Sequence, residues 1–202
     1  AQRESALNLP HIHFNGASGN VAAGKYNDGS PEARAVLTQR MAEGMKIAWE
    51  ATKKSPISTS DLAWRVERVR LPLAATLQRD TLEKTLADTT ANDRDRLNAS
   101  TKLALLNRTD AGHQFELTRL RLGSVNVLHM PGELFVEYQL AAQQMKPDAT
   151  VCMAAYGDYA PGYIGTEIAY TQGGYEVQAS SSNTAPAVEK VLMDAMRRLL
   201  TD

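Results

Sequence analysis

Apolar and polar positions alternate between two periods along this chain. Val36, Leu37, Met41, Met45, Ala48 and Trp49 recur at helical spacing, which predicts a helix from Ser30-Pro31 to about Lys54. Ser30 can cap it, Pro31 at the first helical position loses no intrahelical hydrogen bond, and Pro56 closes it off. Thr76 to Ala99 has helical composition but is more polar, as suits a surface or capping position. Leu134 to Met145 reads as a helix stopped before Pro147. Val188, Val191, Leu192, Ala195, Met196 and Leu199 form one face of a last helix.

Period-two segments lie between these helices. Leu9 to Phe14 is a short strand candidate. In Leu62 to Leu73, Trp64 and Val66 share one phase and Val69, Leu71 and Leu73 the other, which predicts a bulge or turn near Glu67-Arg68. Phe115 to Leu122, a turn at Gly123-Ser124 and Val125 to Met130 predict a hairpin ended by Pro131-Gly132. Ala149 to Ala155 is apolar without alternation, as in the centre of a sheet. The pattern predicts an α/β fold: a mixed sheet with packed helices and an inserted β-hairpin, with no domain boundary within 1–202. Two stretches escape both periods: the Gly/Asn/Asp-rich loop Asn15–Gly29, and Tyr156–Gly174. A loop as long as the first leans towards function.

Length and charge narrow the classes. A chain of 202 residues can bury a substantial core. Its 22 basic and 23 acidic side chains leave no broad footprint for nucleic acid. Arg65, Arg68 and Arg70 alternate with apolar residues and read as the wet side of a strand. No apolar run reaches the length of a transmembrane segment. The single cysteine, Cys152, excludes a disulfide within the chain and reads as a small buried hydrophobe.

Candidate chemistry gathers in a few places. Glu133 follows a strand, where ligands collect in α/β folds; it also reads as a carboxylate opening the next helix. Glu137 lies one turn further on. Tyr156, Tyr159, Tyr163, Tyr170 and Tyr175 are five of the seven tyrosines, and suit either an apolar pocket wall needing hydroxyls or a stacked surface loop. The loop Asn15-Gly16-Ala17-Ser18-Gly19-Asn20-Val21-Ala22-Ala23-Gly24 has glycines for close backbone approach. Even with Lys25 following, it lacks the spacing of a phosphate or dinucleotide loop. Ser18 is the most tempting hydroxyl nucleophile, without a nucleophile elbow around it. His11 and His13 share a strand face and could hold a metal or be structural. His113 precedes Phe115, and His129 leads to Glu133.

In order and spacing, the Gly-rich loop, Pro131-Gly132-Glu133, Tyr163-Ile164-Gly165-Thr166 and Tyr175-Glu176 resemble the neutral/alkaline non-lysosomal ceramidases and their bacterial relatives. The resemblance implies that 1–202 is the C-terminal portion of a ceramidase-like catalytic domain, incomplete without an N-terminal half. It implies a zinc-dependent hydrolase of amide (N-acyl) bonds, with Glu133 and Tyr163 as metal ligands and two histidines supplied from outside the chain. His11 and His13 do not fall on the family's histidine motifs. The resemblance implies Asn20 and Ser18 as catalytic candidates, Ser18 only with a rearranged loop, and Gly19, Tyr159 and Tyr175 as substrate-binding residues. Where the family has aspartate and serine in its Gly-rich motif, this chain has Asn20 and Ala22. That departure leaves two alternatives to ceramide hydrolysis: a non-catalytic binding or structural module, or hydrolysis of a non-lipid N-acyl or ester substrate. The implied partners are an N-terminal half, as the same polypeptide or a second processed chain, and a small-molecule or lipid N-acyl substrate. The implied location is secreted or periplasmic.

Overall fold

A computed structural model describes residues 12–25 and 27–201. The described residues form two compact units, one from residues 12–13 with those of Val21–Ser58, the other from Phe14–Asn20 with 59–201. The smaller unit contains helix α1 (Pro31–Ala51), opened as the sequence predicts: Ser30 Oγ accepts from the Ala33 N–H at 3.0 Å. Its apolar stripe is a departure from expectation, because no residue of α1 is buried; Met41 and Ile47 are exposed. Of the strand expected at Leu9–Phe14, residues 9–11 lie outside the described residues, and 12–14 are not in a strand.

The larger unit carries the sheet. Strands β1 (Leu62–Val69), β2 (Phe115–Leu122), β3 (Val125–Pro131) and β5 (Thr150–Gly157) pair in the order β1-β2-β3-β5. The first two pairings are antiparallel and the last is parallel, so the sheet is mixed. Helix α4 (Val136–Met145) connects β3 to β5, as a parallel pairing requires a crossover. The Gly123 turn adopts φ +61° and closes the β2–β3 hairpin. The fold is therefore α/β with a mixed sheet and packed helices.

Three local expectations are revised. No bulge interrupts β1, whose register with β2 is unbroken from Leu62↔Leu122 to Val69↔Phe115. The apparent phase slip arises because the apolar residues of β1 change faces along an unbroken strand, with Arg65 and Glu67 on the same face as Val69 and with Leu71 and Leu73 beyond its end. Leu62, Trp64 and Val66 point one way and are exposed, while Val69 points the other way and is buried. The polar stretch after Thr76 is two helices, α2 (Arg79–Ala87) and α3 (Asp93–Asp110), the second capped by Asn92. Finally, β5 ends the strand order rather than lying at its centre. Its outer side meets the Gly-rich loop, where Asn15 carbonyl accepts from the Ala155 N–H at 2.8 Å.

The core lies between the other sheet face and the helices. Beyond the short helix α5 (Glu167–Gln172) the chain ends in helix α6 (Val188–Leu200); Leu117, Leu128, Met130, Val151 and Met153 from the sheet meet Tyr138 and Ala142 of α4 and the α6 face Val188, Leu192, Ala195, Met196, Leu199. Arg119 is buried there, donating to Asn126 Oδ1 at 2.7 Å and to the Leu199 carbonyl at 2.9 Å. A buried guanidinium persists because it is hydrogen-bonded. The basic run on β1 is tied down: Arg68 pairs with Glu116 at 2.6 Å, and Arg65 donates to the Thr201 carbonyl.

Candidate functional site

Pro131 ends β3 because it has no N–H to continue a ladder. Gly132 then adopts φ +66°, and a Cβ there would stand 2.6 Å from the Gly162 carbonyl oxygen. Only glycine satisfies both demands. Past this turn the chain forms a two-residue strand β4 (Glu133–Leu134), parallel to β6 (Tyr163–Ile164), with Glu133 opposite Tyr163 and Leu134 opposite Ile164. Glu133 therefore does not open a helix. Helix α4 starts at Val136, and its first-turn acidic residue is Glu137. Register partners project to one face, so the tyrosine and carboxylate implied as metal ligands stand side by side.

The tyrosine loop closes around Glu133. Tyr159 donates its hydroxyl hydrogen bond to Glu133 Oε1 at 2.5 Å. That bond, aided by desolvation, pushes the Tyr159 phenol up to about 12. Tyr163 is also pushed up to about 12, first by burial and then by its hydrogen bond to Glu133. Tyr175 meets Tyr163 edge to face, with ring centroids 5.9 Å apart. Tyr159 and Tyr175 are both exposed, which suits residues facing an opening. Strain is local here: Tyr156 and Asp158 hold φ of +66° and +41°, the left-handed region that side chains disfavour.

The first half of the Gly-rich loop comes to the same place. Gly19 N–H donates to the Leu134 carbonyl at 2.7 Å. A Cβ on Gly19 would stand 2.4 Å from the Glu133 carbonyl oxygen, so the close approach demands glycine. Ser18 Oγ lies 3.2 Å from the Tyr156 hydroxyl and donates to the Gly16 carbonyl at 3.3 Å. Asn20 is used at both ends of its amide: Oδ1 accepts from the Val136 N–H at 2.9 Å, and Nδ2 donates to Glu137 Oε2 at 2.9 Å. It thereby supplies the cap that Phe135, the N-cap residue of α4, has no side chain to provide.

The structure thus gathers Ser18, Gly19, Asn20, Glu133, Tyr159, Tyr163 and Tyr175 in one region. Two participants were not assigned roles from sequence: Tyr156, which meets Ser18, and Glu137, which meets Asn20. Nothing in a linear pattern reveals a partner more than a hundred residues away. His129 lies on β3 with its imidazole against Gly157, where an added Cβ would fall 2.0 Å from Nε2. His113 packs edge to face on Phe115 and contacts Arg108. His13 is exposed in the smaller unit, and His11 lies outside the described residues. Among the described residues, no three His, Cys, Asp or Glu side chains group as a metal site. Glu133 and Tyr163 offer two adjacent oxygen donors, which fits part of a four-ligand zinc shell and not the whole of one.

Comparison of the backbone with solved structures places this architecture. The chain shares part of the neutral ceramidase fold. Neutral ceramidase from Pseudomonas aeruginosa superposes with a TM-score of 0.54 at 15% sequence identity, over 92% of this chain and 36% of the ceramidase chain. A ceramidase complexed with C2 gives a TM-score of 0.52 at 14% identity, over 83% of this chain and 33% of its own. This chain therefore spans about a third of the solved structures it matches. No protein-family profile and no curated protein sequence matches it. At such identities the likeness establishes the fold alone.

Proposed function

We propose that this chain supplies one half of a zinc-dependent amidohydrolase site of ceramidase-like type. The observation that supports it best is the register of Glu133 against Tyr163 within a shared ceramidase-like fold. Zinc, when bound, supplies Lewis acidity towards an acyl carbonyl and water. Glu133 and Tyr163 would hold it together with two ligands from a further polypeptide, an N-terminal half or a second processed chain. Tyr159 orients the Glu133 carboxylate through its hydrogen bond. Tyr175 braces Tyr163 and shapes the substrate opening for a small-molecule or lipid N-acyl group. Gly19 lets the loop approach Glu133 closely enough to carry Ser18 beside Tyr156. Asn20, with its amide committed to α4, acts as a positioning residue rather than a reacting one. Residues 1–202 form the C-terminal portion of such a domain, acting in a secreted or periplasmic setting.

The test is metal content and hydrolysis of N-acyl substrates by the complete protein with zinc supplied. Zinc close to one per molecule, lost together with activity in Glu133→Ala, is the expected result. Zinc far below stoichiometric in properly folded protein overturns the proposal. Asn20 and Ala22, standing where the ceramidase motif has aspartate and serine, favour one other reading, a non-catalytic module descended from such an enzyme. Turnover that depends on Glu133 rules that reading out.

A further inference from the structure

Tyr156 is held in a conformation that its side chain disfavours. Its φ of +66° lies in the left-handed region, where a bulky residue is an outlier and where strain collects at functional sites. Two backbone bonds fix it there: the Tyr156 N–H donates to the Gly132 carbonyl at 2.9 Å, and the Gly132 N–H to the Gly157 carbonyl at 2.8 Å. The strained residue is thereby locked to the turn that delivers Glu133. Ala155 beside it is tied to the Gly-rich loop through the Asn15 carbonyl, which brings Ser18 to the Tyr156 hydroxyl. The Tyr156 phenol is also among the groups that hold the Tyr163 phenol above its ordinary range, so it borders the half-site. Glycine takes this backbone without strain, yet the chain keeps a tyrosine there.

The hydroxyl protons of the pair are both committed. Ser18 and Tyr156 carry one O–H donor each. Ser18 Oγ donates to the Gly16 carbonyl at 3.3 Å, which leaves its lone pairs for the Tyr156 hydroxyl 3.2 Å away. With its proton given to Ser18, the Tyr156 oxygen is left as an acceptor. Tyr159 and Tyr175 engage Glu133 and Tyr163, whereas Tyr156 is turned to Ser18 and stands apart from them. In a secondary amide the N–H lies trans to the carbonyl. A site that takes the carbonyl at Glu133 and Tyr163 therefore needs a separate acceptor for the N–H.

We infer that Tyr156 is a specificity-determining residue that accepts the N–H of the scissile secondary amide, and that Ser18 is the positioning residue that keeps Tyr156 an acceptor. The inference rests on the proposed amidohydrolase reading and names its substrate class: secondary amides are preferred over esters of the same acyl chain, whose bridging oxygen offers no hydrogen. A site built to take an N–H rejects an analogue without one, because a polar group is left unpaired.

The test uses the complete protein with zinc supplied, and octanoyl 4-nitroanilide and 4-nitrophenyl octanoate as the amide and ester probes. Dividing each variant's kcat/KM by the parent's cancels the intrinsic reactivity of the probes. In Tyr156→Phe the amide-to-ester ratio should fall about 3- to 10-fold, the scale of one net hydrogen bond, with the thermal melt close to the parent's. Ser18→Ala should lower the same ratio, and Ser18→Thr, which keeps a hydroxyl, should restore it. A second readout needs no turnover. The calorimetric affinity of zinc-free protein for the nitroanilide should weaken by a similar factor in Tyr156→Phe, while the N-methyl nitroanilide, which has no N–H, should bind parent and variant alike. An unchanged ratio with unchanged nitroanilide affinity overturns the inference and leaves the hydrolase reading standing. Weakened affinity, in a protein whose parent shows no zinc-dependent turnover, keeps the amide subsite and removes the hydrolase reading. A parent that neither binds nor hydrolyses the nitroanilide overturns both.

Discussion

Asn20→Ala isolates what holds the Gly-rich loop to α4. The substitution removes an acceptor for the Val136 N–H and a donor to Glu137, both at 2.9 Å. Because Phe135 provides no side-chain cap, the Val136 N–H loses the acceptor that Asn20 gives it. Loss of a helix cap costs about 0.5–2 kcal/mol. Asn20 is exposed, so water recovers part of the loss, and about 1 kcal/mol is the working figure. For a chain of this size that lowers the melting temperature by about 2–4 °C. Asn20→Asp separates the two bonds. The aspartate still accepts from Val136 but meets the Glu137 carboxylate where a donor stood. One of the two carboxyls then has its folded pKa raised above the unfolded value. A raised pKa gives a contribution that is present below the unfolded pKa, about 3.9 for Asp, and lost as pH rises through the folded one. Asn20→Asp should therefore be less stable than the parent at pH 7 and approach it near pH 4. Paired thermal melts at the two pH values, followed by circular dichroism, check both arms. Asn20→Ala melting with the parent, or a gap for Asn20→Asp that does not change with pH, would refute the capping role.

Further substitutions probe the rest of the site and core. Gly19→Ala places a Cβ 2.4 Å from the Glu133 carbonyl oxygen, so backbone must shift at an expected cost of about 1–3 kcal/mol, read by denaturant unfolding; an unchanged midpoint removes the close-approach argument. Glu133→Ala should bring Tyr159 down from about 12 towards its ordinary value near 10, seen as earlier phenolate absorbance on raising pH. Because both Tyr159 and Tyr163 are raised, the stability they contribute holds below about pH 10 and fades towards pH 12; an alkaline melt series in the parent and in Glu133→Ala tests this. Asn126→Ala strips a 2.7 Å bond from the buried Arg119 guanidinium and should cost about 1.5–3 kcal/mol, whereas a loss below 0.5 kcal/mol, about the scale of a neutral surface change, contradicts the account.

The linear pattern carried the element types because amphipathic period is local. The α6 stripe Val188–Leu199 and the β2–β3 hairpin were legible for that reason, as was the Ser30-Pro31 start of α1. Phase was misread at β1, where the expected bulge proved to be apolar residues on opposite faces of one unbroken strand. A change of apolar face and a bulge leave the same trace in a linear pattern, and only the register with β2 separates them.

What the sequence determined by itself is the set of chemical groups: a Pro-Gly-Glu turn, a tyrosine-rich loop and a Gly-rich loop, in an order that resembles ceramidases. Turn chemistry and residue type are properties of the local chain, so they survive without a structure. Only the tertiary structure decided that Glu133 stands in register with Tyr163, that Asn20 caps a helix 116 residues away, and that Leu62, Trp64 and Val66 of β1 are exposed. Those are facts of long-range packing. They follow from strand register and close backbone approach, which no periodicity records.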